Sequence, residues 1–224
     1  MLRASQIHGF DANHRVLTAA FHDSEAQSAD VTATNAYTFT SKSLGAKPGG
    51  KLVIVATLSR LQTTGTIASC SIGGVAATKV AELVDTAAFS THIAYWALWV
   101  ENVTSANIVA VVQTDTSFRC AIMVFTIEGA RSMFPRASGT STASPTAPSV
   151  GIGPGGCIIA VATMNDSGTA AWTGGPTEVA DFQGENTYSG ALLNSTAWAQ
   201  ITATATWTGG APTAFGGLAA AWMD

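Results

Sequence analysis

The chain of 224 residues has few charged side chains: Asp, Glu, Lys and Arg together make up 11% of it. An average soluble domain carries roughly 25%. The net charge is −4, and the ten Lys and Arg residues are scattered along the chain, so that no basic stripe is available to neutralise phosphates. The longest apolar runs, LVIVA, IIAVA and IVAVV, are far shorter than the roughly 20 residues that span a bilayer. We therefore expect neither nucleic-acid binding nor membrane insertion.

Cysteine is also scarce. Cys70, Cys120 and Cys157 are odd in number and widely spaced, and no C-x-x-C occurs. This pattern predicts buried free thiols rather than a disulfide framework or a zinc site. The first residues, MLRASQIHGFDANHR, lack the apolar core of a signal peptide, which predicts a protein made and kept in the cytoplasm.

The sequence has no familiar catalytic motif: G-x-S-x-G, the P-loop, G-x-G-x-x-G and H-E-x-x-H are all missing. His8, His14 and His22 are spaced by six and eight, which fits neither a strand face nor a helical metal pair. Glu82 and Asp181 hold matching places in KVAEL and EVADF and could form a glycosidase pair. A repeated carboxylate at a strand edge is more typical of a solvated face. We predict no enzyme activity, no metal and no cofactor.

What the chain does contain is an internal repeat. PGGKLVIVAT at 48–57 returns as PGGCIIAVAT at 154–163, and SIGGVAATKVAELVD at 71–85 is echoed by WTGGPTEVADF at 172–182. The order of the echoes is preserved, which indicates a tandem duplication of a unit of about 100 residues. Two copies are too few for a solenoid. We therefore expect the two halves to face each other in one sandwich.

The apolar periodicity predicts strands nearly throughout. In ITATATW the apolar residues alternate with threonines, the pattern of a strand with one solvated face. In KLVIVAT both faces are apolar, so that a neighbouring subunit or the N-terminal segment is needed to cover the second one. Gly-Gly pairs mark the turns between strands. The predicted class is all-β, a jelly roll or a related two-sheet β-sandwich made from an internally duplicated half.

The repeat also suggests the domain organisation. We predict one sandwich domain over residues 31–224, with repeat halves at about 36–130 and 140–224. The segment 136–156 has the composition of a flexible linker. However, TFTSKSLGAKPGG ahead of the first copy aligns with SPTAPSVGIGPGG ahead of the second, which favours a strand leading into each Pro-Gly-Gly turn over a hinge.

Residues 1–30 lie outside the predicted repeat and form a candidate N-terminal arm. Its apolar residues from Val16 to Phe21 suit either one stripe of a short helix or an edge strand. The arm is a candidate anchor for assembly, and packing across its own sandwich is an equal alternative. The candidate anchor residues are Phe10, Val16, Leu17 and Phe21.

Aromatic residues give a second candidate site. Trp172 stands beside a Gly-Gly turn, with Tyr188 in ENTYSG as a companion. Exposed rings at such positions stack on sugars, so these two residues are the candidate glycan contacts. Trp207 and Trp222 fall on inward strand positions and are expected in the core.

The succession AYTFTSKSLG, PGGKLVIVAT, SIGGVAATKV and SFRCAIMVFTIEGA resembles jelly-roll virion proteins of tailed phages, prophages and gene transfer agents. These occur as head spikes, head fibres or decoration proteins and in tail adhesion parts. The resemblance covers roughly residues 35–224, and its motifs are structural turns and strands, so that it implies no catalytic residues.

The resemblance implies a structural protein of a phage-like particle, located on the virion surface after assembly in the bacterial cytoplasm. Its expected partners are further copies in a homo-oligomer, other virion proteins such as the capsid or an adaptor, and a host-surface polysaccharide. The alternative function is a carbohydrate-binding, lectin-like module, as in a tail adhesin, that uses Trp172 and Tyr188.

Overall fold

The computed structural model describes residues 15–29, 31, 35–46, 49–61, 66–85, 91–112, 117–183, 185–210 and 212–224. Within these ranges every regular element is a strand and no helix occurs, which confirms the all-β prediction. The strands are β1 (Thr18–Gln27), β2 (Ala36–Ser43), β3 (Lys51–Leu61), β4 (Ile67–Ile72), β5 (Val75–Ala76), β6 (Thr78–Val84), β7 (Thr91–Val100), β8 (Ser105–Val112), β9 (Ser117–Glu128), β10 (Ala137–Ser141), β11 (Ser149–Ile152), β12 (Cys157–Met164), β13 (Thr169–Thr173), β14 (Thr177–Gln183), β15 (Thr187–Asn194), β16 (Ala199–Thr202), β17 (Thr204–Thr208) and β18 (Phe215–Trp222).

Each half of the chain folds into a two-sheet sandwich of its own. In the first sandwich the inner sheet has the order β1-β9-β3-β7-β6 and the outer sheet the order β2-β8-β4-β5. In the second sandwich the inner sheet has the order β10-β18-β12-β15-β14, and the outer sheet consists of the pairs β11-β16 and β13-β17. The chain crosses between inner and outer sheet at nearly every connection, which is the jelly-roll topology.

The duplicated unit is therefore a complete sandwich, and the expectation of one sandwich built from two half-units is corrected. Each unit contributes nine strands, more than the apolar runs reveal. The strands that the sequence hides are short, such as β5 and β10, which read VA and ASGTS. Such strands bury little apolar surface of their own and complete a sheet through backbone pairing.

The two inner sheets pack face to face, and this contact explains the strands that are apolar on both sides. On β3, Leu52 and Ile54 belong to the cluster between the two sandwiches, whereas Val53 and Val55 face the outer sheet of their own sandwich. On β12, Ile159 and Ile158 divide in the same way between these two kinds of core. Each fully buried aliphatic side chain of this size contributes about 1.5–3 kcal/mol to the free energy of unfolding. The cover that the sequence requires is thus the other repeat of the same chain.

Equivalent strands of the two inner sheets, such as β3 and β12, run in the same direction. Across the interface β1 lies against β15 and β12, while β18 lies against β7 and β6, so that the strand orders of the two inner sheets run in opposite directions. The main-chain N–H of Leu17, which precedes β1, donates to the carbonyl of Gly155, which precedes β12. β1 and β3 start at the same end of the first inner sheet. Gly49–Gly50 and Gly155–Gly156 consequently lie at one end of the molecule, here called the Gly-Gly end, and the repeats are related by a pseudo-twofold axis along the strands.

The N-terminal segment is partly corrected by the structure. Residues 18–27 form β1, which pairs with β9 and holds the same edge position that β10 holds in the second sandwich. The segment 136–156 likewise contains β10 and β11, as the alignment of the repeats favours. β1 escapes detection as part of the repeat because an edge strand has one neighbour instead of two, and its sequence can diverge more freely. Residues 1–14, including Phe10, lie outside the described residues.

Candidate functional site

Trp172, the first candidate glycan contact, points into the second sandwich. It lies on β13 on the same face as buried Ala170, and it packs against the core between the inner and outer sheets. Its indole N–H donates to the hydroxyl of Ser189 at 2.7 Å. The side chain therefore closes the interior and does not present a free ring to a sugar.

Tyr188, the second candidate, lies in the cluster between the two sandwiches and is 2% exposed. Its ring stacks on that of Phe182 with the centroids 5.5 Å apart, and burial raises the pKa of its hydroxyl. Ser189 is the next residue along β15, so its side chain lies on the opposite face of the inner sheet from that of Tyr188. Trp172 contacts the Ser189 face and is therefore separated from Tyr188 by this sheet. The structure does not bring them together in a surface site.

The four candidate anchor residues divide into three groups. Leu17 is 1% exposed, and Phe21 packs edge-on against Phe125 with the ring centroids 5.6 Å apart. Both side chains pack against the protein's own core, as predicted by the alternative in which the N-terminal segment packs across its own sandwich. Val16, in contrast, is 71% exposed at the Gly-Gly end, and Phe10 lies outside the described residues.

Glu82 and Asp181, the candidate carboxylate pair, each form structural contacts. Glu82 on β6 pairs with Lys79, and its carboxylate lies 3.5 Å from Nε2 of buried His92. Asp181 on β14 accepts the N–H of Ala170 at 3.1 Å. Because β6 lies against β18 and β14 lies against β1, the two carboxylates stand on opposite edges of the interface and form no pair.

The histidines give the same result. His22 lies 2.7 Å from the hydroxyl of Thr126, and burial and the nearby Lys51 charge lower its pKa. His8 and His14 are outside the described residues. Among the described residues, no group of three or more His, Cys, Asp or Glu side chains has a metal-binding arrangement.

Exposed apolar side chains are the feature that sets one end of the molecule apart. In the described part of the chain the exposed large hydrophobic residues are Val16, Val75, Trp99, Val103, Phe134 and Trp198. All six flank strand ends at the Gly-Gly end: before β1, at the start of β5, at the end of β7, between β7 and β8, between β9 and β10, and between β15 and β16. Sequence reasoning missed this clustering because the six are far apart along the chain.

A groove in the first sandwich contains three of these six side chains. It encloses about 350 Å³, and the apolar side chains that line it are those of Leu44, Ile72, Val75, Leu98, Trp99, Val100 and Val103. Val75 begins the two-residue strand β5, and Val103 lies in the loop between β7 and β8, and at both exposed positions the backbone would accommodate a polar side chain equally well. An apolar lining at such positions is typical of an interaction site.

Comparisons with known proteins add one match. No family model and no curated protein matches the chain. Among solved structures, the crystal structure of PBSX exported protein XepA is matched with a TM-score of 0.24 and 12% identity, over 91% of this chain and 86% of that one. At this TM-score the likeness supports no statement about fold or function. In the described residues there is no helix of the length and apolarity required to cross a bilayer.

Proposed function

We propose that the protein is a structural subunit of a phage-like particle that acts by assembly and performs no reaction. The groove at the Gly-Gly end of the first sandwich is the observation that carries this proposal. The sequence resemblance over residues 35–224 supplies the class of assembly. In this proposal the protein is assembled in the bacterial cytoplasm, stands on the virion surface, and contacts the capsid or an adaptor through its N-terminal residues.

The occupant proposed for the groove is a second copy of the chain. Only 11% of the residues are charged, so that little electrostatic repulsion opposes contact between copies. Among the described residues that line the groove, Glu101 carries a charge and the others are uncharged. A repeated contact of this kind closes into a ring when the rotation between copies permits it, and a ring or spike axis is what a virion vertex requires.

Solution mass, measured by light scattering on a sizing column, tests the proposal. We expect a closed oligomer from the full chain and a monomer from the double variant Val75→Ser, Val103→Ser. Phe134→Ser is the matched control because Phe134 is 54% exposed at the same end but does not line the groove. A full chain that remains monomeric at all concentrations contradicts the assembly role, and an oligomer that survives in the double variant contradicts the groove as its contact.

A chain beginning at Arg15 tests the N-terminal contribution separately. This truncation keeps Leu17 and β1, whereas a cut at Ala36 would remove the edge strand of the first inner sheet and expose its core. An oligomer that persists shows that self-association does not require residues 1–14, which leaves them for the contact with the particle. Loss of the oligomer assigns self-association to residues 1–14 instead.

The alternative function through Trp172 and Tyr188 is not favoured, because both side chains are turned into the interior. A carbohydrate-binding role needs a different platform.

A further inference from the structure

We infer that the outer face of β11 and β16 binds a neutral saccharide on a platform formed by Trp198. The inference does not rest on the assembly role, since it concerns the second sandwich and not the groove of the first. The surface is called the Trp198 strip and consists of Ser149, Gly151, Gly153, Trp198, Gln200 and Thr202.

The strand register places these residues on one face. β11 and β16 are antiparallel, with Ser149 opposite Thr202 and Gly151 opposite Gln200. The intervening residues, such as Val150 and Ile201, turn inward to the core of the second sandwich. Continued by one step, the same register sets Gly153 opposite Trp198. Because side chains alternate between the two faces of a sheet, all six residues of the strip face outward.

Trp198 lies flat at one end of the strip. A Cβ placed on Gly153 would be 2.9 Å from both Cη2 and Cζ3 of the indole and 3.2 Å from Cε3. Three successive ring carbons at nearly equal distances mean that the ring lies face-on over the Gly153 backbone. The side chain is nevertheless 73% exposed. One face of the indole is thus backed by the main chain, and the other is open.

The two glycines are what allow this arrangement. Any side chain at position 153 would displace the indole, whereas a Cβ on Gly151 would be 3.4 Å from Oε1 of Gln200, in van der Waals contact. Gly153 therefore leaves the space in which the indole lies, and Gly151 adds no bulk beneath the Gln200 amide. The indole therefore lies against the backbone beside it and does not project freely from its loop.

Polar groups continue the strip beyond the indole. The Gln200 amide donates to the hydroxyl of Ser149 at 2.8 Å, and the hydroxyl of Thr202 lies 3.2 Å from the same oxygen. Amide and hydroxyl groups both donate and accept hydrogen bonds. Alternate residues of a strand are about 7 Å apart, so that the strip offers an aromatic face followed by a short row of hydrogen-bonding groups.

A saccharide is the ligand that matches this order of groups. One face of a pyranose carries C–H groups, which are attracted to the negative face of an aromatic ring, and its rim carries hydroxyls that pair with amides and alcohols. The strip contains no ionisable side chain, which selects neutral sugars over acidic ones. The inward tryptophans of this sandwich show the contrast: Trp172 and Trp207 each donate their indole N–H to a threonine or serine hydroxyl of the protein and contribute to packing.

The experiment is a calorimetric titration of the full chain with three neutral hexasaccharides. They are built from β-1,4-linked glucose, β-1,4-linked N-acetylglucosamine and α-1,4-linked glucose. At least one is expected to bind with millimolar or better affinity. Trp198→Ala should weaken that affinity at least tenfold, and Gln200→Ala should weaken it less. Phe134→Ala is the matched control, because Phe134 is also exposed at the Gly-Gly end but belongs neither to the strip nor to the groove of the first sandwich, and it should leave the affinity unchanged.

Two outcomes overturn the inference: no binding of any of the three saccharides at millimolar concentration, or equal affinities of the Trp198→Ala and Phe134→Ala variants. The unfolding midpoint of each variant is measured alongside, and Trp198→Phe keeps a smaller ring at the site. An intermediate affinity of Trp198→Phe supports stacking, whereas a loss as large as that of Trp198→Ala contradicts it. The variant Val75→Ser, Val103→Ser should bind the saccharide normally whether or not it assembles, which separates this inference from the proposed function.

Discussion

The hydroxyl oxygen of Tyr95, on β7 of the first sandwich, lies 2.8 Å from the main-chain carbonyl oxygen of Leu218, on β18 of the second. It is also 3.0 Å from the carbonyl oxygen of Ile159. Burial raises the pKa of Tyr95, so that the hydroxyl stays a protonated donor. This contact ties the two sandwiches together in the middle of an otherwise apolar interface.

Removing that hydroxyl should destabilise the whole molecule. Tyr95→Phe leaves a buried polar contact unmade, and we expect the free energy of unfolding to fall by about 1–2 kcal/mol. The measurement is urea unfolding followed by circular dichroism. Tyr188→Phe is the matched control, since Tyr188 lies in the same interface, but its hydroxyl faces Asn186 of its own sandwich and forms no hydrogen bond to the other sandwich in the described part of the chain. Equal losses in both variants would contradict the bridging role of Tyr95.

The close approach of the two inner sheets should be sensitive to one methyl group. A Cβ on Gly216 of β18 would lie 2.7 Å from Cγ2 of Thr91 and 3.2 Å from Cδ2 of Leu83. Gly216→Ala should therefore overpack the interface and cost about 1–3 kcal/mol. At Gly50 the nearest atom is Cγ of Glu101, 3.9 Å away, so that Gly50→Ala should change stability by no more than about 0.5 kcal/mol. Thermal unfolding of the two variants side by side gives the comparison, and a tolerated Gly216→Ala would mean that the sheets are not packed this closely.

Stability should fall as the pH is lowered through the titration range of His92. Burial lowers the pKa of His92 from 6.5 to about 4, against the opposing effect of the Glu82 charge. Its Nδ1 accepts the N–H of Ile67 at 3.3 Å, so that the neutral ring carries its proton on Nε2, towards Glu82. Between about pH 6.5 and 4 the unfolded chain takes up a proton that the folded chain does not, and the free energy of unfolding drops by up to about 1.4 kcal/mol per pH unit.

Urea unfolding between pH 7.5 and 5 measures this slope. His22, whose pKa is also lowered, contributes in the same direction, so that His92→Gln should reduce the slope without abolishing it. A slope that is the same in His92→Gln and in the unchanged protein would show that His92 is not held neutral by the fold.

The three cysteines should be unreactive in the folded protein. Cys70, Cys120 and Cys157 are all free and buried. Burial raises the pKa of Cys70 and of Cys157 to about 12 and raises that of Cys120 as well, whereas the reactive species of a thiol is the thiolate. A chromogenic disulfide reagent at pH 8 should react with all three thiols in denaturant and with none at a comparable rate under native conditions. Rapid reaction of even one thiol in the native protein would place that cysteine at the surface.

Much of the fold is readable in the sequence because the repeated motifs fall on equivalent strands. PGGKLVIVAT and PGGCIIAVAT lead into β3 and β12, and the Gly-Gly echo falls on the β4–β5 turn and the turn between β13 and β14. The alternation in ITATATW is also confirmed: Ala203 and Ala205 are buried, whereas Thr202 and Thr206 are exposed. Strands as short as β5 and β10 carry little periodic signal and are not predicted from the sequence.

The candidate sites were less predictable. The Gly-Gly pair beside Trp172 predicts an exposed ring, but strand alternation puts the side chain on the face of Ala170 and hence inside. Leu17 and Phe21 follow the same alternation into the interface. Trp198 ends the four-residue loop STAW between β15 and β16, and only its contact with Gly153, 45 positions earlier in the numbering of the chain, distinguishes a platform from an ordinary loop residue.

The sequence by itself determined that the chain would form strands and that β3 and β12 would be covered on both faces, because the period of two leaves apolar side chains on either side of each strand. It also determined that the two halves would share one topology, since the same turns and strands recur in the same order. Only the tertiary structure decided that each half is a complete sandwich and that each repeat covers the other. That choice depends on the lateral order and register of two sheets, which are set by contacts such as Tyr95 with Leu218 between residues distant in the chain, and no local pattern records them.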